Sequence, residues 1–293
     1  MFMDFLKVLI LSIVEGITEF LPISSTGHLI ITNEFINLLD KDFTNTFNVI
    51  IQLGAILAVV VIYFQKLNPF SKKNLSENYL KKYKDMSMPN KIYNSFLNRN
   101  KSIMNLWKKI IVALIPSVIL GLLFDDLIDK YLFNPYTVAI MLIVWGIGMI
   151  LVENVNKNKE SIINDFQDLN FISAFKIGCF QTLALVPGTS RSAATILGGL
   201  ILGCDRLVAT EFSFYLAIPT MLGATVLKVI KKLHLFTAYQ WLLILIGMFF
   251  SFIVAYIAIK KLMQYLKNHD FKVFGYYRII VGIIVLLYFS LIK

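Results

Sequence analysis

Charged residues are scarce in this sequence. They make up 16% of its 293 residues, whereas hydrophobic residues make up 57% and the mean hydropathy is +0.72. Soluble domains carry roughly 25% charged residues, so the shortage argues against a soluble globular protein. The chain also lacks the short alternating segments of a transmembrane β-barrel. Several uninterrupted apolar runs reach about the length that a bilayer requires, and these predict an all-α polytopic membrane protein.

Cysteine is almost absent too. The two cysteines, Cys179 and Cys204, both lie beside apolar segments. We interpret them as small hydrophobic residues rather than as a disulfide or a metal-binding pair. No Ala-x-Ala-like cleavage site follows the first apolar run, so we expect the N-terminal segment to be retained.

Acidic residues are fewer than basic ones, and the net charge is +10. The excess is concentrated in residues 65–109, which contain eleven Lys and Arg but two acids; their local charge of +9 leaves about +1 for the rest of the chain. The positive-inside rule predicts a cytoplasmic loop here. We therefore expect no nucleic-acid partner.

The apolar runs divide the chain into two similar halves, residues 1–152 and 153–293. Each half is predicted to contain one re-entrant helix hairpin, since an apolar run breaks at a proline and resumes as a run too short to span. The hairpins are predicted at about 5–39 and 171–203. The transmembrane spans are predicted at about 47–64, 110–124, 136–152, 207–228, 239–259 and 273–292.

The two halves are related by local similarity. An offset of 165 residues aligns Pro22 with Pro187 and Phe47 with Phe212. Three spans per half is an odd number, so the second half must enter the membrane from the opposite side. This predicts an inverted-topology repeat, a plan shared with many transporters. With 65–109 and 260–272 cytoplasmic and 125–135 outside, the two hairpin tips meet near the bilayer midplane.

The first polar island is EGITEFLPISSTGH, residues 15–28. Glu15 and Glu19 are four residues apart and share one helix face. Two neighbouring carboxylates repel each other unless a cation or a shared proton separates them. A divalent cation, Mg²⁺ or Ca²⁺, bound by Glu15, Glu19 and substrate phosphates is one solution. The alternative is a pair of helix-terminal acids near a wet interface.

Hydroxyls and an imidazole follow in the same island. Ser24, Ser25 and Thr26 could bind phosphate oxygens, and a hydroxyl could attack phosphorus. A helix that begins at Ser24 or Ser25 would offer free N–H groups to an anion. His28 could take or give the proton. The alternative is a capped helix start with an interfacial histidine.

The second polar island is PGTSRSAAT, residues 187–195. Gly188 permits close backbone approach, and Arg191 can bind a phosphate through two parallel hydrogen bonds. The alternative is a structural ion pair between Arg191 and a glutamate of the first hairpin. The predicted phosphate ligands of this island are Thr189, Ser190, Arg191, Ser192 and Thr195.

Three polar residues in apolar runs carry weaker predictions. Gln52 and Gln181 are expected to form interhelical hydrogen bonds. Arg278 is expected to snorkel to the interface or to pair structurally.

Together the two islands resemble the undecaprenyl-diphosphate phosphatase family of bacteria, of the bacitracin-resistance type. The first island is similar to the family pattern of two glutamates four apart followed by Pro-x-Ser-Ser-Thr-Gly-His, and the second to Pro-Gly-x-Ser-Arg-Ser-x-x-Thr. The segments TFNVIIQLGAILAVVV and ATEFSFYLAIPTMLGAT extend the resemblance over most of the chain. The loop 65–109 is longer and more basic than the family leads us to expect.

The resemblance implies hydrolysis of a polyisoprenyl diphosphate to its monophosphate, which recycles the lipid carrier for cell-wall synthesis. It also implies a divalent cation, a bacterial plasma-membrane location, an active site open to the outer face and a homodimer. By motif, Glu15 and Glu19 match the essential glutamates, Ser25 and His28 the catalytic hydroxyl and imidazole, and Arg191 the phosphate-binding arginine. The nucleophile stays open between Ser25 and a water activated by His28. A secondary transporter or lipid flippase is the rival, because transporters use the same architecture.

Overall fold

The computed structural model describes residues 2–36, 38–70, 100–232 and 236–291. Within these ranges the fold is helical, and the β-structure is confined to one isolated bridge between Ile163 and Cys204. A 3₁₀ turn, Leu183–Leu185, follows the helix that ends at Thr182. The helices are α1 (Phe2–Thr18), α2 (Ser25–Phe35), α3 (Lys41–Ile62), α4 (Phe64–Leu67), α5 (Lys101–Tyr131), α6 (Pro135–Asn156), α7 (Phe171–Thr182), α8 (Arg191–Ile201), α9 (Arg206–Lys232), α10 (Ala238–Tyr265) and α11 (Lys272–Leu291).

Six of these helices are long and apolar enough to cross a membrane, namely α3, α5, α6, α9, α10 and α11. Each overlaps one predicted span, which confirms the all-helical polytopic class. The helices extend past the predicted bounds, most of all in α5. Residues 101–109, predicted as the end of the basic loop, form its first turns. Residues 71–99 of that loop lie outside the part of the chain that the structure describes.

Helices α6 and α11 pack along each other in opposite directions. A Cβ atom at Gly146 of α6 would lie 2.7 Å from the carbonyl oxygen of Gly275, near the start of α11. Towards the other end, the Tyr136 hydroxyl at the start of α6 donates to the carbonyl oxygen of Phe289 at 2.9 Å. Small residues allow this close backbone approach, as in other membrane helix pairs.

Helices α3 and α9 are also antiparallel neighbours. Near the start of α3, the carbonyl oxygen of Val49 accepts from Thr225 Oγ1 at 3.3 Å, towards the end of α9. Just past the end of α3, the ring of Tyr63 contacts the rings of Phe214 and Tyr215 in α9. The first and last spans of each half therefore pair with their counterparts in the other half.

The helix that begins the first hairpin, α1, runs parallel to α10. The rings of Phe5 and Tyr239, at the start of each helix, lie 6.4 Å apart between centroids. Further along, Gly16 lies against Ser251, where a Cβ atom would be 2.9 Å from the serine carbonyl oxygen. This side of the bundle is therefore closely packed up to the first polar island.

The helix that begins the second hairpin, α7, runs parallel to α5 in the same manner. Gly178 lies so close to Ala113 that an added Cβ atom would overlap the alanine carbonyl group. One turn later, Gln181 Nε2 donates to Ser117 Oγ at 2.7 Å. Each hairpin is thus held by the middle span of the opposite half.

The two helices that complete the hairpins are short. Helices α2 and α8 have 11 residues each, about half of what a bilayer span requires. Helix α8 is buried along nearly its whole length, which places the second polar island inside the helix bundle. Backbone that leaves the helical conformation at membrane depth needs this protein cover.

The two cysteines are free, as the sequence led us to expect. Cys179 is exposed on α7, whereas Cys204 is buried in the turn after α8. Burial raises the pKa of the Cys204 thiol to about 12, so it stays protonated and apolar at neutral pH.

Candidate functional site

Helices α2 and α8 begin at serines with the same unusual backbone. Ser24 and Ser190 both have φ of 74°, in the region that side chains other than glycine rarely adopt. Each serine oxygen accepts from the N–H three residues later, Gly27 at 3.2 Å and Ala193 at 3.3 Å. Such strained caps cost roughly 1–3 kcal/mol each and cluster at functional sites.

The two caps define the correspondence between the islands. The structure places Ser24 and Ser190 at equivalent positions. Their offset is one residue larger than the offset that aligns Pro22 with Pro187. The shift arises because two residues separate Pro187 from its serine, whereas only Ile23 separates Pro22 from Ser24.

Arg191 joins the two islands. Its Nη2 atom donates to Glu19 Oε1 at 3.1 Å, and its Nη1 atom donates to the carbonyl oxygen of Ser213 at 2.8 Å. Both members of the ion pair are largely buried. The Nε–H group of Arg191 has no acceptor among the described residues. The predicted meeting of arginine and acid therefore occurs, in the form of the ion pair that the alternative interpretation describes, and the buried Nε–H group has no partner in the described ranges.

Ser25 is bound to the same carboxylate. Its Oγ donates to Glu19 Oε2 at 2.6 Å, a length typical of a hydroxyl bound to a charged acceptor. Glu19 therefore lies between Arg191 and Ser25, with one oxygen bonded to each. Ser25 is also the first residue of α2, where backbone N–H groups lack helical partners. This arrangement provides a hydroxyl, a base beside it and donors for an anion.

Glu15 lies one turn before Glu19 and is fully buried. Neither of its side-chain oxygens has a donor among the described residues. A buried carboxylate without hydrogen bonds is costly, and a proton or a divalent cation would relieve that cost. No group of three or more His, Cys, Asp or Glu suited to a metal occurs in the described ranges. Mg²⁺ or Ca²⁺ still fits, because it can combine one or two carboxylates with phosphate oxygens and water.

A cavity of about 230 Å³ opens beside these groups, and we call it the headgroup cavity. Residues of the two islands line it together with polar side chains of α3, α5, α7 and α9. The island residues are Glu19, Ser24, Ser25, Thr26, Pro187, Gly188, Ser190 and Arg191, and the helical ones include Gln52, Ser117, Gln181 and Thr220.

Three predicted phosphate ligands are absent from the lining of this cavity. Ser192 Oγ donates to the carbonyl oxygen of Leu21 at 3.2 Å, and Thr195 Oγ1 donates to Ser213 Oγ at 2.7 Å. Thr189 is fully buried. In this structure the first two hydroxyls support the backbone and the surroundings of Arg191.

The ring of His28 forms its hydrogen bonds with groups other than Glu19 and Ser25. Its Nδ1 atom donates to the carbonyl oxygen of Ser24 at 2.7 Å, which leaves Nε2 to accept from the Tyr277 hydroxyl at 2.7 Å. The histidine and tyrosine rings are stacked. The group within hydrogen-bond reach of Ser25 is therefore Glu19 and not His28.

Arg278 contributes to the site in a way that the sequence did not reveal. It is fully buried, and it neither snorkels nor forms an ion pair among the described residues. Its guanidinium donates to the carbonyl oxygens of Pro22 at 3.0 Å, Gly188 at 2.8 Å and Thr189 at 2.9 Å. Arg278 thus connects the backbones of both islands. An arginine inside an apolar run was the available signal, because such residues are costly in a membrane and usually functional.

Comparison with known proteins identifies the family of this chain. The family model described as "Bacitracin resistance protein BacA" matches residues 8–284. Undecaprenyl-diphosphatase 1 of Clostridioides difficile is 49% identical over 99% of this chain and 98% of its own length. Undecaprenyl-diphosphatases of Acetivibrio thermocellus and Enterococcus faecalis are 47% and 48% identical, over 99% and 98% of this chain and 100% and 97% of their own lengths.

These matches confirm the resemblance that the two polar islands carry. The family model and the relatives both extend over almost the whole chain, and the family model ends within the last of the six candidate spans. The chain belongs to the BacA family of bacitracin resistance proteins.

Proposed function

We propose that this chain is an integral-membrane hydrolase that converts undecaprenyl diphosphate to undecaprenyl phosphate and inorganic phosphate. Relatives about 48% identical over their full lengths carry the name undecaprenyl-diphosphatase. The contact set of Arg191, Glu19 and Ser25 is the observation that carries the proposal, since it combines an anion-binding group, a base and a hydroxyl at membrane depth. The reaction recycles a lipid carrier for cell-wall synthesis.

The roles of the site residues follow from their contacts. Arg191 binds the phosphoryl oxygens, and the free N–H groups at the start of α2 and α8 add further donors. Glu19 accepts the proton of Ser25 when that hydroxyl attacks phosphorus, or orients a water that attacks instead. A phosphoseryl intermediate trapped by rapid quench would decide for Ser25. Ser24, Thr26 and Ser190 line the cavity, and His28 acts through Ser24 and Tyr277.

A divalent cation, Mg²⁺ or Ca²⁺, is proposed at Glu15 and Glu19. When bound, it would offset phosphate charge and polarise a phosphoryl oxygen. The unpartnered oxygens of Glu15 support this position, since they are buried and without donors in the described ranges.

We propose an inverted-topology repeat of residues 1–152 and 153–293. Counterpart helices α3 and α9 are antiparallel, as are α6 and α11. Helix α1 runs parallel to α10 as α7 runs parallel to α5, and the caps at Ser24 and Ser190 share one backbone conformation. A two-fold axis in the membrane plane would produce all these relations.

The proposed location is the bacterial plasma membrane, with the active site open to the outer face. Lysines are concentrated where α5 begins and where α10 ends, and the positive-inside rule assigns both to the cytoplasm. A cysteine introduced at Asn134 should react with an impermeant thiol reagent in intact cells, whereas one introduced at Lys267 should react only after the membrane is permeabilised. Labelling of both positions in intact cells would reject this orientation.

Phosphate release tests the activity directly. Purified protein in detergent, given farnesyl or undecaprenyl diphosphate and Mg²⁺ or Ca²⁺, should release inorganic phosphate. A transporter or flippase needs a closed compartment, whereas catalysis does not. Absence of phosphate release from folded protein with either cation would remove the hydrolase proposal.

A homodimer is also proposed, and the mass of the protein in detergent would test it.

A further inference from the structure

The residues that line the headgroup cavity are of two chemical kinds. One set is ionic, with Arg191 and Glu19 in contact and Ser25 beside them. The other set is polar but uncharged, and on the spanning helices and α7 it includes Gln52, Ser117 and Gln181. A diphosphate also has two parts, and we assign one part to each set.

Gln181 has the polar atoms of a binding group. The residue is 3% exposed, it lines the cavity, and its Oε1 atom has no donor among the described residues. Its Nε2 atom donates to Ser117 Oγ at 2.7 Å. A serine hydroxyl can donate as well as accept, so the contact survives when the amide turns over and Ser117 donates to Oε1. The NH₂ group then becomes a donor without a partner, in a residue that lines the cavity.

The position of Gln181 in the repeat explains why it is an amide. Gln181 lies as far before the cap serine Ser190 as Glu15 lies before Ser24. Both residues are buried, and both have side-chain oxygens without donors in the described part of the chain. The acid can bind a cation, but a second acid would repel a diphosphate. A neutral amide at the equivalent position offers a donor without that repulsion.

We propose that Gln181 and Ser117, together with Gln52, bind the phosphate that stays on the lipid, while Arg191 and Ser25 contact the phosphate that is released. This inference rests on the proposed diphosphatase activity. In that reaction the bond from the terminal phosphorus to the bridging oxygen breaks. The oxygen keeps the electron pair and leaves with the lipid phosphate, and water supplies a hydroxyl to the terminal phosphorus and a proton to solvent. Donors of the uncharged set stabilise the charge that this oxygen gains.

Equilibrium binding of the two products tests the assignment without relying on turnover. Farnesyl phosphate and orthophosphate are titrated, each alone, into detergent-purified protein with Mg²⁺. Gln181→Leu should weaken farnesyl phosphate binding about tenfold, as expected for loss of one hydrogen bond to a charged acceptor. Orthophosphate binding should stay within about twofold of wild type. Gln181→Glu preserves the shape and adds a like charge, so it should weaken farnesyl phosphate binding further.

Matched variants keep the outcomes distinct. Ser117→Ala should act as Gln181→Leu does, whereas Gln167→Leu, in an exposed loop, should change neither affinity. Arg191→Ala should weaken orthophosphate binding instead. Equal losses for both products, a loss for orthophosphate alone, or no loss would each overturn the inference. A farnesyl phosphate defect that vanishes without Mg²⁺ would assign Gln181 to the cation and would overturn it too. Failure of the proposed function is separate, because wild-type protein would then release no phosphate.

Discussion

The two hairpins use the same backbone and different side chains. Each has an entry helix held by the middle span of the opposite half, a serine cap with φ of 74°, and a short helix of 11 residues. Counted from the two caps, equivalent positions differ in chemistry. The first hairpin has Glu15, Ser25 and His28 where the second has Gln181, Arg191 and Ala194.

This difference shows how two hairpins with the same backbone provide different chemical groups. Two copies of the acidic hairpin would repel a diphosphate, and two copies of the arginine would place cations side by side. With one of each, Arg191 and Glu19 form an ion pair between the two hairpins. The following substitutions weaken or remove this difference, in order of decreasing expected effect.

Arg191→Ala removes the cation of the second hairpin. We expect the rate of phosphate release to fall about 10³-fold or more, because the guanidinium is the main group for phosphoryl charge. The purified variant should keep its elution volume on size exclusion. Arg191→Lys is the matched control and should recover part of the rate. Release by Arg191→Ala at nearly the wild-type rate would remove Arg191 from the mechanism.

Glu19→Gln removes the base of the first hairpin while keeping its shape. We expect a loss of about 10²- to 10³-fold, because the amide cannot take the proton of Ser25. Added Mg²⁺ or Ca²⁺ should not restore the rate, which a cation titration would check. Full rescue by cation would mean that Glu19 is only a metal ligand.

His28→Ala makes the first hairpin resemble the second at the fourth residue of the short helix, where α8 has Ala194. We expect a loss of about 10²-fold, at the low end for acid–base groups, because His28 contacts Ser24 and Tyr277 instead of Ser25. Tyr277→Phe, measured in parallel, should lose less. A His28→Ala loss larger than that of Glu19→Gln would show that the imidazole is the principal base.

Glu15→Gln gives α1 the same residue that α7 has at the equivalent position, Gln181. We expect the Mg²⁺ concentration for half-maximal activity to rise about tenfold, since one carboxylate ligand is lost, while the rate at saturating Mg²⁺ changes least of the four variants. A rate curve against Mg²⁺ separates the two effects. An unchanged half-maximal concentration would argue against cation binding at Glu15.

Much of the fold could be predicted from the sequence because hydropathy and length define bilayer spans directly. All six spans and both breaks were found in this way. Helix ends were less predictable, and α5 shows why. Its polar first turn begins after Asn100, whose side chain accepts from the N–H groups of Ser102 and Ile103, and hydropathy does not record such a cap.

The site was predictable where residue type decides and unpredictable where side-chain direction decides. Glu19, Ser25 and Arg191 meet as expected. Ser192 and Thr195 belong to the same motif, yet they lie on the inner face of α8 and bond to protein. A sequence motif specifies which groups are near a site but not which of them face it.

The contacts of Arg278 have a consequence for biosynthesis. This residue belongs to α11, which leaves the ribosome after both islands, yet it connects the backbones of both. A nascent chain would already contain every proposed catalytic group before α11 is inserted. The backbones of its two islands would still lack the hydrogen bonds from Arg278, so we expect activity only after α11 has been inserted.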